Sequence, residues 1–403
     1  MRLARLARAH PVLLRDLDDS LPWAEQEAQL RERFGYGAND ALTAELTALG
    51  HPSIDVVVNH EAAQQAWAEA HGHDVERPDW QVEVLLDRLR RHEPDVLFVS
   101  DFKIVDPSVI DRLRRELAPL LVVAWSGAQF DDRRYFESAD LVLTCVPELI
   151  PSFRQHGRPV ELLAHAFDAR LLAQLGPRRP DHDSVIFVGQ LQRWHDRHMR
   201  RVEVLEHLVA AGVAIDIHAP QYDWDLQQAA RSSARTLAWQ ADRVLGAVGV
   251  PQQTRRSWPV LRRLDNWEAR PPSWRSRQLR AHLRPPLFGL EMFAALRRAA
   301  VTLNVHADVS VSHASNLRLF EATGVGTCLL TEARDNLTDW FVPGEEIVTW
   351  ESPADCVLQI RRLLDDPVRC EAIAAAGQAR TLRDHTMRRR AERLLEHLGA
   401  RLR

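Results

Sequence analysis

Residues 301–332 read VTLNVHADVSVSHASNLRLFEATGVGTCLLTE and predict a strand, a loop, a helix and a second strand. The first run is apolar and rich in β-branched residues, which favours a buried parallel strand. Apolar residues recur at helical spacing after the loop, and two glycines then favour the end of the helix. This order is one crossover of a parallel α/β sheet. The predicted parts are strand Val301–His306, helix Ala314–Thr323, the glycines Gly324 and Gly326, and strand Thr327–Thr331.

The loop of this unit carries polar side chains at a place that favours ligand binding. In parallel sheets ligands bind beyond the carboxyl ends of the strands, and a helix N-terminus favours phosphate. Glu321 follows between one and two turns into the helix, where a carboxylate repels phosphate but accepts hydrogen bonds from sugar hydroxyls. The loop therefore predicts a site for a nucleotide or a phosphosugar. Its candidate residues are Asn304, His306, His313, Ser315 and Asn316.

Alternating strands and helices extend on both sides of this unit. The pattern predicts a doubly wound parallel sheet over 54–165, and the alternation restarts after a polar linker at 178–183. Residues 1–50 are mostly polar and helical in pattern. We therefore predict an α/β fold of two similar halves, each a doubly wound sheet, with a ligand cleft between them. The predicted domains are 1–170, 171–385 with a helical insertion at 222–287, and a C-terminal helix at 386–403 that packs back on the first domain.

Length, charge and cysteine content exclude several classes of protein. A chain of 403 residues exceeds one ordinary core, and its net charge of −4 argues against a nucleic-acid partner. No run of about 18 apolar residues predicts a membrane span, and the N-terminus lacks the apolar core of a signal peptide. The four cysteines form no C-x-x-C pair, which argues against a disulfide framework or a zinc site. We expect a cytoplasmic protein.

Three C-terminal segments resemble a known family. NLRLFEATGVGTCLLTE, DWFVPGEEIVTWESPADCVLQIRRLLDDP and AIAAAGQARTLRDHT are similar to the C-terminal signature of GT-B glycosyltransferases. The resemblance is greatest to the CgeB-like (spore-maturation-protein-like) group, which has a glycosyl transferases group 1 type C-terminal domain. FVGQL at 187–191 and GLEMFAALRRAAVTLNVH at 289–306 extend it upstream. The resemblance implies two facing Rossmann-like domains, with the nucleotide held mainly by the second.

The resemblance also assigns roles within the opening stretch. Retaining members carry two Glu separated by seven residues, and the second matches Glu321, which implies contact with the ribose hydroxyls. The first falls on His313, where a Glu would touch the donor sugar and a His would bind phosphate or a hydroxyl instead. The resemblance places the diphosphate on backbone amides near three residues, which are Ser315, Asn316 and Leu317.

Other polar residues extend the predicted donor site. Arg318 offers a charge-assisted contact to phosphate. Gly189 and Gln190 end the first strand of the second domain, where a glycine lets the backbone approach a ligand, and Arg193 follows with a charge for the leaving diphosphate. Structural roles stay open for all of them: Ser315 and Asn316 as helix caps, Arg318 as a surface charge, and the histidines as hydrogen-bonded structure.

The acceptor side is expected at strand ends of the first domain. A general base for an inverting reaction is a carboxylate or a histidine, and His60 and Asp101 each follow a predicted strand. A retaining transferase needs no such base. His165 and Asp168 precede the linker, so we expect them to make hinge contacts.

The insertion at 222–287 is rich in Arg and holds five of the twelve Trp. Two helices are predicted, near 226–247 and 272–283. Arg and Trp together suit peripheral contact with a membrane surface, where Trp lies at the headgroups and Arg meets lipid phosphate. They equally suit a lipid-diphosphate or anionic glycan acceptor. The structural alternative is packing against the domain or against a second subunit of a homodimer. The five are Trp224, Trp239, Trp258, Trp267 and Trp274.

These observations predict a cytoplasmic GT-B glycosyltransferase of bacterial polysaccharide biosynthesis. It would move a sugar from a nucleotide-diphosphate-sugar donor to a hydroxyl of a glycan, a lipid-linked saccharide or a protein acceptor. The resemblance to GT-B enzymes implies no cofactor and no metal, because in that family helix amides and Arg stabilise the leaving diphosphate. The alternatives are a nucleotide-sugar epimerase or phosphorylase on the same fold, and a non-catalytic nucleotide- or glycan-binding protein in which His313 marks lost catalysis.

Overall fold

A computed structural model of the chain contains two six-stranded sheets with helices along their connections. The predicted fold class, an α/β protein with two parallel sheets, is confirmed. The structure describes residues 1–8, 14, 17–34, 40–100, 104–117, 119–130, 132–191, 199–220, 226–251, 254–255, 257–262, 278–306, 311–399 and 401.

The first sheet has the strand order β2-β1-β3-β4-β5-β6, and every neighbouring pair is parallel. Its strands are β1 Leu3–Ala7, β2 Ser53–Val57, β3 Val96–Val99, β4 Leu121–Trp125, β5 Leu141–Thr144 and β6 Val160–Leu162. Its helices are α1 Trp23–Phe34, α2 Asp40–Ala48, α3 Glu61–Ala70, α4 Trp80–His92, α5 Pro107–Glu116, α6 Arg133–Glu137 and α7 Leu149–Arg154. Because each strand returns through a helix, all the strands end at the same edge of the sheet.

Strand β1 corrects the prediction of a helical pattern for residues 1–50. Leu3–Ala7 is buried along its whole length and lies between β2 and β3. Arg5 occupies an interior position of this strand, in register with Asp55 of β2, and its Nε lies 2.6 Å from the Asp55 carboxylate. The sequence pattern misleads here because a charged residue in a buried strand breaks the apolar run on which strand prediction depends.

The second sheet has the order β12-β11-β10-β7-β8-β9. Its strands are β7 Asp181–Val188, β8 Asp216–His218, β9 Leu283–Arg284, β10 Ala299–Asn304, β11 Cys328–Glu332 and β12 Val348–Trp350. The remaining helices, with a 3-10 turn at Ala169–Leu171 before the first, are α8 Leu172–Leu175, α9 Met199–Ala210, α10 Leu226–Ala247, α11 Pro259–Arg262, α12 Gly289–Arg298, α13 Arg318–Gly324, α14 Leu337–Trp340, α15 Pro353–Asp365, α16 Pro367–Asp384 and α17 Met387–Gly399.

The insertion 222–287 contributes a strand as well as a helix. Helix α10 confirms the helix predicted near 226–247. The second predicted helix, near 272–283, is wrong over its described part, where a 3-10 turn at Leu279–Ala281 leads into β9. The amide of Ile217 in β8 donates to the carbonyl of His282 at 2.9 Å, so pairing with a sheet edge satisfies this backbone instead of a helix. Trp224, Trp267 and Trp274 lie outside the described residues.

Contacts group the chain into two compact units. One unit is Met1–Val185 together with Phe288–Arg403, and the other is Ile186–Leu287. Within the first unit, α17 shares an apolar core with α2 and the first sheet, through residues that include Leu46, Val96 and Leu394. The domain boundaries at 170 and 385 stay a prediction.

Candidate functional site

The carboxyl end of β10 is tied to the loop before α13 by a pair of side-chain amides. Asn304 Nδ2 donates to Asn316 Oδ1 at 3.2 Å, and Asn316 Nδ2 donates to Asn304 Oδ1 at 2.5 Å. Asn304 is only 3% exposed and also donates to Thr331 Oγ1 at 2.9 Å. The two amides therefore satisfy each other and fix the loop on the strand end, as expected for buried polar groups.

Helix α13 begins later than the sequence predicts, which changes the role of the residues before it. It starts at Arg318 rather than Ala314, with Leu317 in the capping position and no side-chain cap. The Asn316 side chain pairs with Asn304 instead of capping the helix. Among the described residues, no group accepts from the backbone N–H of Asn316 or Leu317. Unpaired N–H groups at the start of a helix suit an anionic ligand.

Glu321 and Arg318 form a buried ion pair in the first turns of this helix. Arg318 Nη1 lies 2.8 Å from Glu321 Oε2, and the two side chains are 13% and 8% exposed. Arg318 is thus not a surface charge. Burial raises the pKa of Glu321, and the Arg318 guanidinium opposes that rise. The pair places carboxylate oxygens and guanidinium nitrogens together directly after the unpaired N–H groups.

Two side chains from other segments hold the loop 311–317 in place. Asn336 Oδ1 accepts from the N–H of Ala314 at 2.6 Å, and Asn336 Nδ2 donates to the carbonyl of Ala314 at 3.0 Å. Glu148 Oε1 accepts from the N–H of Ser312 at 3.1 Å and from that of His313 at 2.9 Å. Glu148 follows strand β5 of the first sheet, so this contact joins the loop to the other sheet.

The side chain of His313 lies against the same carboxylate. Its Nδ1 is 3.2 Å from Glu148 Oε1 and 3.2 Å from Ser312 Oγ, and the side chain is 36% exposed. No described residue contacts Nε2. Burial would raise the pKa of Glu148, but the backbone N–H groups of Glu148, His313 and Ser312 outweigh it, so that pKa falls below its usual value. The carboxylate therefore stays ionised at neutral pH.

His306 adjoins this cluster through Thr331, to which Asn304 also donates, whereas His60 does not contact it. His306 is 1% exposed with its Nε2 3.2 Å from Thr331 Oγ1. His60 is 4% exposed with its Nε2 3.2 Å from Asp19 Oδ1. Both imidazoles are therefore part of buried hydrogen-bonded structure. Asp101 and Arg193 lie outside the described residues.

Gly189 and Gln190 belong to the second compact unit, at the end of β7. The N–H of Gly189 donates to the carbonyl of His218 at 3.0 Å, and Arg201 donates to the carbonyl of Gln190 at 3.2 Å. A Cβ on Gly189 would lie 3.1 Å from the Phe187 ring. A side chain at this position would therefore press on Phe187, whatever ligand approaches the glycine.

Sequence reasoning missed Glu148 and Asn336. Glu148 lies just beyond the carboxyl end of β5, so the strand-end rule that selected Asp101 could also have selected it. Its partner His313 is 165 residues away, and no local pattern links the two. Asn336 precedes α14 and gave no signal of its own.

Two further findings concern the described part of the chain only. There, no three His, Cys, Asp or Glu side chains lie close enough together to hold a metal ion. No helix in that part is both long and apolar enough to cross a membrane.

Several solved structures share this fold. Sucrose-phosphate synthase from Thermosynechococcus elongatus is 14% identical with a TM-score of 0.55, over 100% of this chain and 98% of that chain. A glycosyltransferase from Rickettsia africae is 7% identical with a TM-score of 0.55, over 100% and 98% of the two chains. Anabaena Alr3699/HepE in complex with UDP-glucose is 12% identical with a TM-score of 0.54, over 99% and 100%. At such identities the likeness shows the fold.

Sequence comparisons give the family. No curated protein sequence is similar to this chain. The model of a family described as Glycosyl transferase-like matches residues 154–396, which is more than half of the chain and includes the cluster around Asn304, His313 and Glu321. The chain therefore belongs to the Glycosyl transferase-like family.

Proposed function

We propose that the protein transfers a sugar from a nucleotide-diphosphate donor to an acceptor hydroxyl, and that residues 304–321 hold the donor. One observation carries this proposal: the buried Arg318–Glu321 pair directly follows the backbone N–H groups of Asn316 and Leu317, from which no described residue accepts. N–H groups at a helix start bind phosphate oxygens, and a carboxylate accepts from ribose hydroxyls. The family match supports glycosyl transfer as the reaction class.

In this proposal backbone N–H groups bind the diphosphate of the donor, and side chains bind its other groups. The Asn304 and Asn316 amides are committed to each other, so we assign the diphosphate to the backbone near Ser315–Leu317 rather than to these side chains. Arg318 offsets the negative charge of Glu321, which lowers the repulsion between that carboxylate and a neighbouring phosphate. Because Anabaena Alr3699/HepE is described in complex with UDP-glucose and with UDP, we propose a UDP-hexose as the first donor to test.

The test is a thermal-shift and calorimetric titration of the full chain with UDP, UDP-glucose and other nucleoside diphosphates. A ligand at a hundred times its dissociation constant adds about 2.7 kcal/mol of stability, which is readily measured. We expect UDP and UDP-glucose to raise the melting temperature. If no nucleoside diphosphate stabilises the protein, the proposed donor class is wrong.

Glu321→Gln tests the ribose contact. The amide keeps the size of the buried carboxylate but removes the charge that accepts the hydroxyls, so we expect UDP affinity to fall by about 1.5–3 kcal/mol, the value of a hydrogen bond to a charged group. Glu345→Gln is the matched control, because Glu345 is exposed. Unchanged affinity in Glu321→Gln would remove Glu321 from the site.

A second candidate is a non-catalytic nucleotide- or glycan-binding protein. It is favoured by His313, which stands where the family resemblance places a Glu. Calorimetric binding of UDP-glucose without hydrolysis or sugar transfer to any acceptor of a panel would support it. An epimerase or a phosphorylase would instead give an epimerised donor, or a reaction that depends on inorganic phosphate.

The finer assignments are part of the same proposal. We place the protein in the bacterial cytoplasm, within the CgeB-like group, with a glycan, a lipid-linked saccharide or a protein as acceptor. Within 222–287, Trp258 is 46% exposed and Arg243 lies over the Trp239 ring at 5.3 Å from its centroid. Exposed Trp and Arg suit a membrane surface, an anionic acceptor or a second subunit, and sedimentation with anionic vesicles separates the first from the others.

A further inference from the structure

We propose that His313 is the general base of the transfer and that Glu148 is the residue that positions it. This inference rests on the glycosyl transfer proposed above and names the group that activates the acceptor hydroxyl. It also fixes the stereochemistry, because a base-assisted single displacement inverts the anomeric centre. The two residues come from segments that follow β5 and β10, and they meet within one compact unit.

The position of the carboxylate selects one form of the imidazole. Glu148 Oε1 is held by two backbone N–H groups, those of Ser312 and His313, at 3.1 and 2.9 Å. The same oxygen lies 3.2 Å from His313 Nδ1. A carboxylate oxygen can only accept, so its position favours a proton on Nδ1 rather than a lone pair. The Ser312 hydroxyl lies 3.2 Å from Nδ1 and donates to Glu148 Oε1 at 3.4 Å, so its oxygen accepts from Nδ1 in this arrangement. The neutral ring therefore carries its proton on Nδ1 and leaves the lone pair of Nε2 available, which is the arrangement a general base needs.

The charge of Glu148 and the exposure of His313 also support a general base. The pKa of Glu148 lies below its usual value because backbone N–H groups outweigh the effect of burial, so an anion faces the ring at neutral pH. An adjacent anion stabilises the imidazolium that forms when Nε2 takes a proton. The side chain of His313 is 36% exposed, which leaves it accessible to a substrate.

The other histidines considered as candidates lack this combination. His60 is 4% exposed with Nε2 directed to Asp19, and His306 is 1% exposed with Nε2 directed to Thr331. In each case Nε2 already contacts a neighbour and Nδ1 is buried. His313 also lies only a few residues before Asn316 and Leu317, whose N–H groups are proposed to bind phosphate.

The step balances without any further reactant. The acceptor O–H bond breaks and its proton goes to Nε2 of His313, while the acceptor oxygen forms a bond to the anomeric carbon. The bond from that carbon to the phosphate oxygen breaks, and the nucleoside diphosphate leaves with the electron pair. The imidazolium then returns its proton to solvent. Water can take the place of the acceptor in the same step, so donor hydrolysis reports on the base.

The experiment follows hydrolysis of UDP-glucose by the full chain and reads the anomer released by ¹H NMR before mutarotation. We expect β-glucose first, since the donor is α-linked. His313→Ala should lower turnover by about 10²- to 10⁴-fold, the usual contribution of a general base, and leave UDP affinity unchanged. Added imidazole should restore part of the lost rate. His182→Ala is the matched control, because His182 is exposed.

Glu148→Gln separates positioning from a merely structural role. The two backbone N–H groups hold the amide oxygen where Oε1 lies, so the loop stays in place and only the charge is lost. We expect turnover to fall at least about 10-fold with an unchanged melting temperature and KM. In the His313→Ala background, Glu148→Gln should lower turnover no further, because Glu148 acts through the His313 ring. Glu76→Gln, at an exposed position, is the control.

A second measurement needs no turnover. The ¹⁵N NMR shifts of the His313 ring report its tautomer, and we expect the proton on Nδ1 at a pH where the ring is neutral. A proton on Nε2, α-glucose as the first product, or full activity in Glu148→Gln would each overturn the inference. These outcomes differ from failure of the proposed function, which would show as no stabilisation of the wild-type protein by UDP or UDP-glucose.

Discussion

Arg5 places a guanidinium inside a buried strand, beside the carboxylate of Asp55. It is 3% exposed, and its Nε lies 2.6 Å from Asp55 Oδ1, while Thr43 Oγ1 donates to Asp55 Oδ2 at 2.5 Å. Burial raises the pKa of Asp55, and the guanidinium of Arg5 opposes that rise. Neither charge would be tolerated alone at this depth, because an unpaired buried ion has a desolvation cost of several kcal/mol.

Arg5→Met should therefore lower the free energy of unfolding by about 3–5 kcal/mol, the usual cost of stranding one partner of a buried pair. Replacing both residues, as Arg5→Met with Asp55→Leu, should cost less than the single change because no charge is left unpaired. Urea denaturation measures both. Arg77→Met is the control, since Arg77 pairs with Asp79 on the surface. A single variant as stable as the control would show that the pair contributes nothing.

The sequence predicts some residues of the site and misses others for a physical reason. Asn304, Asn316 and Glu321 can be predicted from strand ends and helical spacing, which are local properties. In the structure Asn304 pairs with Asn316, and Glu321 lies in the helix that follows. Glu148 and Arg5 depend on partners 165 and 50 positions away. The local sequence around a charged residue does not show whether a distant partner lies beside it. A residue of a buried ion pair is therefore easily predicted to be exposed to solvent.

Helix α13 packs so closely on Phe167 that one of its residues has no room for a side chain. A Cβ on Gly324 would lie 2.3 Å from Phe167 Cγ, and the Phe167 ring is fully buried. The sequence predicts that Gly324 and Gly326 both end the helix, but only Gly326 turns the chain, with φ at +81°. Gly324 is the last helical residue, and tertiary packing is what requires it.

Gly324→Ala should lower the free energy of unfolding by about 1–3 kcal/mol, because the added methyl overpacks a rigid core. Gly399→Ala is the matched control: it also ends a helix, and a Cβ there meets nothing within 4 Å. The control should be neutral, or more stable by about 0.5–1 kcal/mol through helix propensity. Thermal denaturation of both variants checks the difference, and equal stabilities would contradict the packing argument.

Element positions follow from the sequence to the extent that local periodicity determines them. The sequence pattern predicts three helices and a strand in the first sheet, and α3, α4, α5 and β5 have the predicted bounds. These are Glu61–Ala70, Trp80–His92, Pro107–Glu116 and Leu141–Thr144. The start of α13 does not, because Ala314 is held by Asn336 from a later segment and is thereby kept out of the helix. Strand β9 was missed for a related reason, since a sheet edge offers hydrogen bonds that no local pattern reveals.

Two chain segments that lie outside both sheets bond to each other in the first compact unit. The N–H of Phe167 donates to the carbonyl of His385 at 2.9 Å, and the N–H of Met387 donates to the carbonyl of Phe167 at 2.8 Å. Arg390 donates to the carbonyls of Ala164 and His165, each at 3.0 Å. Alternation of strands and helices predicts two sheets, but it cannot predict that these segments are joined, because the contacts span more than 200 residues.

His385 makes this junction sensitive to acid. It is 6% exposed with its Nε2 2.8 Å from the Trp340 carbonyl, and burial lowers its pKa to about 4. The unfolded chain takes up the proton near the usual value of about 6.5. The contribution of the neutral ring to stability is thus complete above that value and is lost as pH falls toward 4. The difference between pH 7 and pH 4 is on the order of 2–3 kcal/mol.

His385→Gln should therefore flatten the acid side of the stability profile. The amide can still donate to the Trp340 carbonyl but cannot take up a proton in this range. Urea denaturation from pH 7 to pH 4 should show a smaller loss of unfolding free energy than in the wild-type chain. Carboxylates contribute equally to both proteins, so the difference between the two profiles isolates the buried histidine. His182→Gln, at an exposed position, is the control and should lose unfolding free energy with falling pH as the wild-type chain does. If His385→Gln shows the same loss, His385 does not contribute to the acid sensitivity of the folded protein.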